Sequence, residues 1–168
     1  PNTGQNDVQA SMSGGSLVSR GGGKFIARPT SVGNPVTISV SAKGRKIGEY
    51  KFRVRKLPDP APYIAMGADR FKSGTLSKAA LMSASGIHAA IDDGLLDIPF
   101  SVTSFRTVFF DNMGNAVPLA SNGSQFSAQQ KEQFRHLSRN KRFYITNVVV
   151  HGPDGTTRTL NGRNMEVI

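Results

Sequence analysis

Val36, Ile38 and Val40 alternate with Thr37, Ser39 and Ser41, and further on Tyr50, Phe52 and Val54 alternate with Lys51, Arg53 and Arg55. A period of two puts alternate side chains on opposite faces of an extended chain, so both segments read as strands with one wet face. The second is expected over Glu49–Arg55, and "AKGRKIG" joins the pair, with Gly44 where the turn needs a permissive backbone. A short strand fits Lys24–Arg28, and two more fit Val8–Met12 and Ser16–Val18. The start around "SMSGGSLVSRGGG" reads as flexible, because Gly and Ser offer little to bury. Residues 1–58 therefore read as a small antiparallel β-sandwich.

The pattern changes after "LPDPAP" at 57–62. Three prolines in six residues restrict φ and favour extended backbone, so Pro58, Asp59, Pro60 and Pro62 are expected to form a semi-rigid hinge. Residues 59–168 then read as an α+β domain. "GTLSKAALMSASG" predicts a short helix capped by Thr75 or Ser77 and closed at Gly86. "DIPFSVTSFRTVFF" predicts a long strand whose apolar phase shifts from Ile98, Phe100 and Val102 to Phe105, which calls for a bulge near Ser104. "DNMGNAV" (111–117) is hairpin-like, and Ser127 with Gln130 forms an S-x-x-Q capping box before a second helix burying Phe134 and Leu137. A hairpin is expected around Gly152–Gly155, and Met165–Ile168 is expected to add an edge strand. The expected class is mainly β: a small sandwich, then an α+β domain with an antiparallel sheet and two short helices.

Composition narrows the function classes. Without Cys there are no thiolate nucleophiles, disulfides or zinc clusters, and no apolar run approaches the roughly 20 residues that span a bilayer. The chain starts at Pro1 without an initiator Met, as a processed or excised piece would. Its net charge of +10 is uneven: residues 1–58 hold ten Lys or Arg against two acids (+8), and residues 59–168 hold eleven against nine (+2). Such a basic segment suits acidic partners. About 15 residues larger than Ala are apolar in 1–58, so that part is expected to lean on missing sequence or on a second copy.

Candidate chemistry is sparse. His88, His136 and His151 lie far apart; His88 and Asp92 would face each other at i, i+4 in a helix. No nucleophile elbow accompanies them, so catalysis is not expected. Asp92, Asp93 and Asp97 lack EF-hand spacing and read as a loop between helix and strand. "SRGGGKF" fails as a phosphate loop, since Lys24 is followed by Phe25, and reads as a glycine linker; "NGS" at Asn122 matches a glycosylation sequon, which short polar loops often do by chance. No catalytic, cofactor or metal residue is assigned.

Two basic features remain. Lys51, Arg53 and Arg55 form a row on one strand, preceded by Lys43, Arg45 and Lys46. Arg135, Arg139, Lys141 and Arg142 gather at the end of the second helix, where cations also suit the helix dipole. A polyanion- or nucleic-acid-binding module is the alternative these features leave open. Stacking would need exposed aromatics, whereas Tyr50, Phe52, Phe134 and Phe143 are expected in the core, so a solvated face or a protein contact is favoured and nucleic acid is not.

"GEYKFRVRKLPDPAP", "SGTLSKAALMSASGIHA", "VTSFRTVFF", "FSAQQKEQF" and "HGPDGTTRTLN" occur in this order, and together they resemble the C-terminal region of the GldM/PorM family. The resemblance implies a non-enzymatic periplasmic part of the type IX secretion and gliding machinery. It implies an immunoglobulin-like domain over about 1–58 and a terminal domain over about 59–168. It further implies a homodimeric arm, anchored in the inner membrane by an N-terminal segment outside this chain, beside a GldL/PorL-type partner. The far end of that arm would meet an outer-membrane-associated ring of GldK/GldN (PorK/PorN) type. The helix-end cations, or the loop Asp111, Asn112 to Asn115, are the expected contact.

Overall fold

A computed structural model describes Gly4 and residues 7–168. The chain divides into two compact units, Pro1–Leu57 and Pro58–Ile168.

The first unit has five strands: β1 (Val8–Ser13), β2 (Gly15–Gly21), β3 (Lys24–Pro29), β4 (Pro35–Ala42) and β5 (Arg45–Arg53). β1, β4 and β5 form one antiparallel sheet in that order, and β2 pairs with β3. Lys43 and Gly44 both take positive φ in the β4–β5 turn, the backbone that a tight hairpin demands. The Gly/Ser-rich start is thus largely ordered: it forms most of β1 and β2, and its glycines make the β2–β3 hairpin turn rather than a linker. Pro1–Thr3, Gln5 and Asn6 lie outside the described residues.

Two expectations for this unit are corrected. β5 ends at Arg53, so Arg55 stands beyond the strand and the row of three cations shortens to Lys51 and Arg53. Tyr50 and Phe52, expected in the core, are 57% and 51% exposed. They lie opposite Ile38 and Val36 of β4, and among the described residues of this unit only Val36 is a buried hydrophobic. Alternation did produce an apolar face, but too few apolar residues exist in this unit to cover it.

The second unit is built on a large sheet. Its strands are β6 (Ala61–Met66), β7 (Asp69–Phe71), β8 (Gly74–Leu76), β9 (Ile87–Asp92), β10 (Asp97–Phe110), β11 (Ala116–Ser121), β12 (Arg142–His151), β13 (Thr157–Leu160) and β14 (Arg163–Val167). The order is β7-β6-β9-β10-β12-β14-β8, with β11 also on β10 and β13 also on β12. Every pairing is antiparallel except that of β14 with β8. β14 is therefore not the expected edge strand, because Met165 and Val167 are buried between two neighbours. The bulge lies where the apolar phase changes: the β10–β12 register shifts on both sides of Ser104. Phe105, Thr107 and Phe109 are buried beyond it, where Phe100 was buried before it.

Two helices complete the unit, α1 (Lys78–Ser83) and α2 (Ala128–His136). Ser77 caps α1, which closes at Ala84 rather than at Gly86. Gly86 instead bridges to Gln125, and a methyl group there would overlap the Ser124 carbonyl. Ser127 and Gln130 form the full capping box of α2, and the buried Gln130 amide also donates to the Leu119 carbonyl at 3.1 Å. Phe134 enters the sheet against Phe109, Phe126 and Phe143, with ring centroids 4.8 to 5.6 Å away. Burying each such side chain contributes about 2 kcal/mol. This packing fixes where the end of α2 lies relative to the end of β10.

Candidate partner-binding site

The turn after β10 is held by one carboxylate. Asp111 accepts from the backbone N–H groups of Met113 (2.9 Å) and Asn115 (2.8 Å) and from the Asn115 side-chain amide (3.0 Å). These bonds, led by the Asn115 side chain, hold the Asp111 carboxyl below its usual range. The loop is therefore a preset shape carrying Asn112 and an 80% exposed Met113 at its tip.

The helix-end cations fall into two kinds. Arg135 pairs with Glu132 at 2.8 Å, and Arg142, the first residue of β12, pairs with Glu166 at 3.0 Å. Arg135, and then His136, hold the Glu132 carboxyl low. Arg139 and Lys141 make no ion pair among the described residues, so their charge is offered to solvent. Arg139 lies past the end of α2, and the carbonyl of Arg135 accepts instead from Lys78 Nζ at 2.6 Å. The end of that helix is thus satisfied by a lysine from α1.

The two segments expected as alternatives meet in one cleft. Phe109, Phe110, Asp111, Asn112 and Gly114 wall it on one side; Gln133, His136, Leu137, Ser138, Lys141 and Arg142 wall it on the other. Its volume is about 500 Å³, in the range of pockets that hold a side chain or small ligand. Asn115 supports the wall through Asp111, while Arg135 and Arg139 stand outside the lining. Phe110 is 47% exposed and rests edge-on against Tyr144. Phe110, Gln133 and Leu137 were missed as site residues. Phe110 did carry a signal, being the last residue of β10 and out of phase with the buried Phe105 and Phe109.

The other expected positions lie elsewhere. Pro60 is buried and Pro62 is the second residue of β6, so they belong to the terminal unit rather than to a free spacer. Pro58 and Asp59 precede β6, where Arg158 Nη1 donates to the Pro58 carbonyl and to Asp59. His88 lies on a strand, not a helix, stacked on Tyr63; His136 contacts Glu132, and His151 contacts Thr157. Asp92, Asp93 and Asp97 flank a turn between two strands. Asp92 pairs with Lys72 and Arg70, Asp97 with Arg70, and Asp93 accepts from the N–H groups of Leu95 and Leu96. Among the described residues no group of three or more His, Asp or Glu is placed to hold a metal ion, and no helix is long and apolar enough to cross a membrane.

No curated protein matches the chain. Residues 1–55 match the family described as the GldM third domain, and residues 58–168 match the GldM C-terminal domain. The two matches adjoin in the order of the two units and span nearly the whole chain, so this chain belongs to the GldM family and is a component of the gliding-motility and type IX secretion machinery.

Proposed function

We propose that the chain is the terminal part of a non-enzymatic, homodimeric periplasmic arm that carries force from an inner-membrane motor to an outer-membrane-associated ring. The arm is anchored by an N-terminal segment outside this chain, beside a GldL/PorL-type partner, and its end meets a ring protein of GldK/GldN (PorK/PorN) type. The observation that carries the reading is the cleft, where a preset turn, an exposed aromatic and the unpaired Lys141 converge. Aromatic anchors beside charged groups are what protein contacts use. Titrating the chain against a purified ring protein tests it; a chain that fails to bind removes the ring reading.

Self-association is supported by the uncovered face of β5. Tyr50 and Phe52 each leave about half of their surface in water, and a second copy would cover them. The basic polyanion-binding alternative has one observation in its favour, since these aromatics share a strand with Lys51 and Arg53. Strand alternation turns the two pairs to opposite faces, however, so cations and stacking rings do not form one surface. Nucleic-acid binding that is tight at moderate salt and falls steeply with added salt would reinstate the alternative.

A further inference from the structure

β10 carries a second exposed feature at its other end. The β9–β10 turn presents Leu95 at 93% exposure and Leu96 at 41%. The tip is rigid rather than floppy. Asp93 Oδ1 accepts from the N–H groups of Leu95 (2.9 Å) and Leu96 (2.8 Å), and Gly94 supplies the positive φ of the turn. A leucine held almost wholly in water by a preset turn is an apolar knob without a socket.

The charge around the knob is opposite to that of the chain. Asp92, Asp93 and Asp97 gather here against Arg70 and Lys72, which leaves a net −1 on a chain of net +10. Arg70 lies over the Tyr63 ring and reaches Asp92 and Asp97, so the collar is itself fixed. At the far end of the strand stands the cleft, with Phe110 and Leu137 in its walls and Lys141 and Arg139 unpaired at or beside its rim. The fourteen residues of β10 hold the two features roughly 40 Å apart. That span is too long for the knob to reach the cleft of its own chain.

We propose that the Asp93–Leu96 tip of one copy seats in the Phe110–Lys141 cleft of a second copy, so that terminal units associate head to tail. Leu95 and Leu96 enter between Phe110 and Leu137, and the exposed Asp97 of the collar faces Lys141 and Arg139. Donor and acceptor are different surfaces of one unit, so the contact is heterologous. It leaves a free knob and a free cleft at the ends, and it propagates into an array or a closed ring. The homodimer proposed through β5 is a separate, two-fold contact, and a ring protein bound in the cleft would compete with the incoming tip.

Sedimentation of the full chain across a concentration series tests this, with a Tyr50→Ser/Phe52→Ser variant to remove the β5 contact. In that background the mass is expected to rise with concentration beyond the 18.0 kDa monomer without stopping at twice that value. Leu95→Asp and Lys141→Glu should each weaken the association about tenfold or more. A mixture of the two should form a one-to-one complex, because one supplies an intact cleft and the other an intact tip. A mass that stays monomeric in the Tyr50→Ser/Phe52→Ser background, or that Leu95→Asp leaves unchanged, overturns the proposal. Neither result bears on the ring contact, which needs the cleft but not Leu95.

Discussion

Arg158 Nη1 lies 2.9 Å from Asp59 Oδ1, joining the first residues of the terminal unit to a strand 99 positions later. The same guanidinium donates to the Pro58 carbonyl, Thr156 and Asp154, and lies over the Phe100 ring. Its side chain is only 8% exposed. One arginine thus ties the first residues of the terminal unit to β13 through charge-assisted bonds.

Arg158→Met should therefore destabilise the terminal unit by about 2–3 kcal/mol, since several charge-assisted bonds lose their donor together. Asp59→Ala should cost under about 1 kcal/mol, because that carboxylate is largely in water. Urea denaturation of the two variants measures the difference; equal effects would mean that Arg158 is not the clamp.

The Asp111 turn has a pH signature. Its folded carboxyl titrates below the ordinary aspartate range because the Asn115 side chain and nearby N–H groups bind the anion. A lowered pKa contributes stability above the unfolded value, near 4, and that contribution disappears as pH falls through the folded value. Asp111→Ala should lower the melting temperature at pH 7, and the gap from wild type should close as the pH drops below about 4. Thermal melts from pH 7 to pH 2.5 check this, and a gap independent of pH would contradict it.

Ser127→Ala removes the side-chain half of the α2 capping box and should cost about 1 kcal/mol. Because α2 carries Gln133, His136 and Leu137 into the cleft wall, fraying its first turn should leave cleft binding nearly intact, while Phe134→Ala should cost about 3–5 kcal/mol and weaken binding as well. Calorimetry with a binding titration separates the two.

How much of this could be read from residues alone depended on how local each cause was. The Ser127–Gln130 box, the phase change at Ser104 and the turn at Gly152–Gly155 are complete within a few residues and stand as expected. β9 escaped notice because Ala89, Ala90 and Ile91 are all buried, so the period-two signal vanishes. Gly86 was mistaken for a helix stop because its partner, Ser124, lies 38 residues away. Tyr50 and Phe52 show the limit of alternation, which marks an apolar face but not whether anything covers it. The cleft was visible only as two separate candidates, since it was Phe134 packing on Phe109 and Phe143 that brought them together.

The uncovered β5 face makes a further prediction. In a Leu95→Asp background, which removes the proposed tip contact, Tyr50→Ser with Phe52→Ser should shift the proposed homodimer towards monomer, with the dissociation constant raised about thirtyfold or more for two aromatic anchors. The folding midpoint of the terminal unit should stay unchanged. Light scattering against concentration reads the first and thermal unfolding the second; a dimer indifferent to both substitutions would move the two-fold contact elsewhere.

The central claim, that the cleft beside β10 is the contact to the outer-membrane ring, is tested most directly by the affinity of the chain for a purified GldN/PorN-type ring protein. Arg139→Glu with Lys141→Glu reverses two charges that no ion pair engages, so the fold should survive the change. The account predicts binding about tenfold weaker or worse for this variant, with Leu95→Asp binding as wild type does. Wild-type affinity in the Arg139→Glu/Lys141→Glu chain would contradict it.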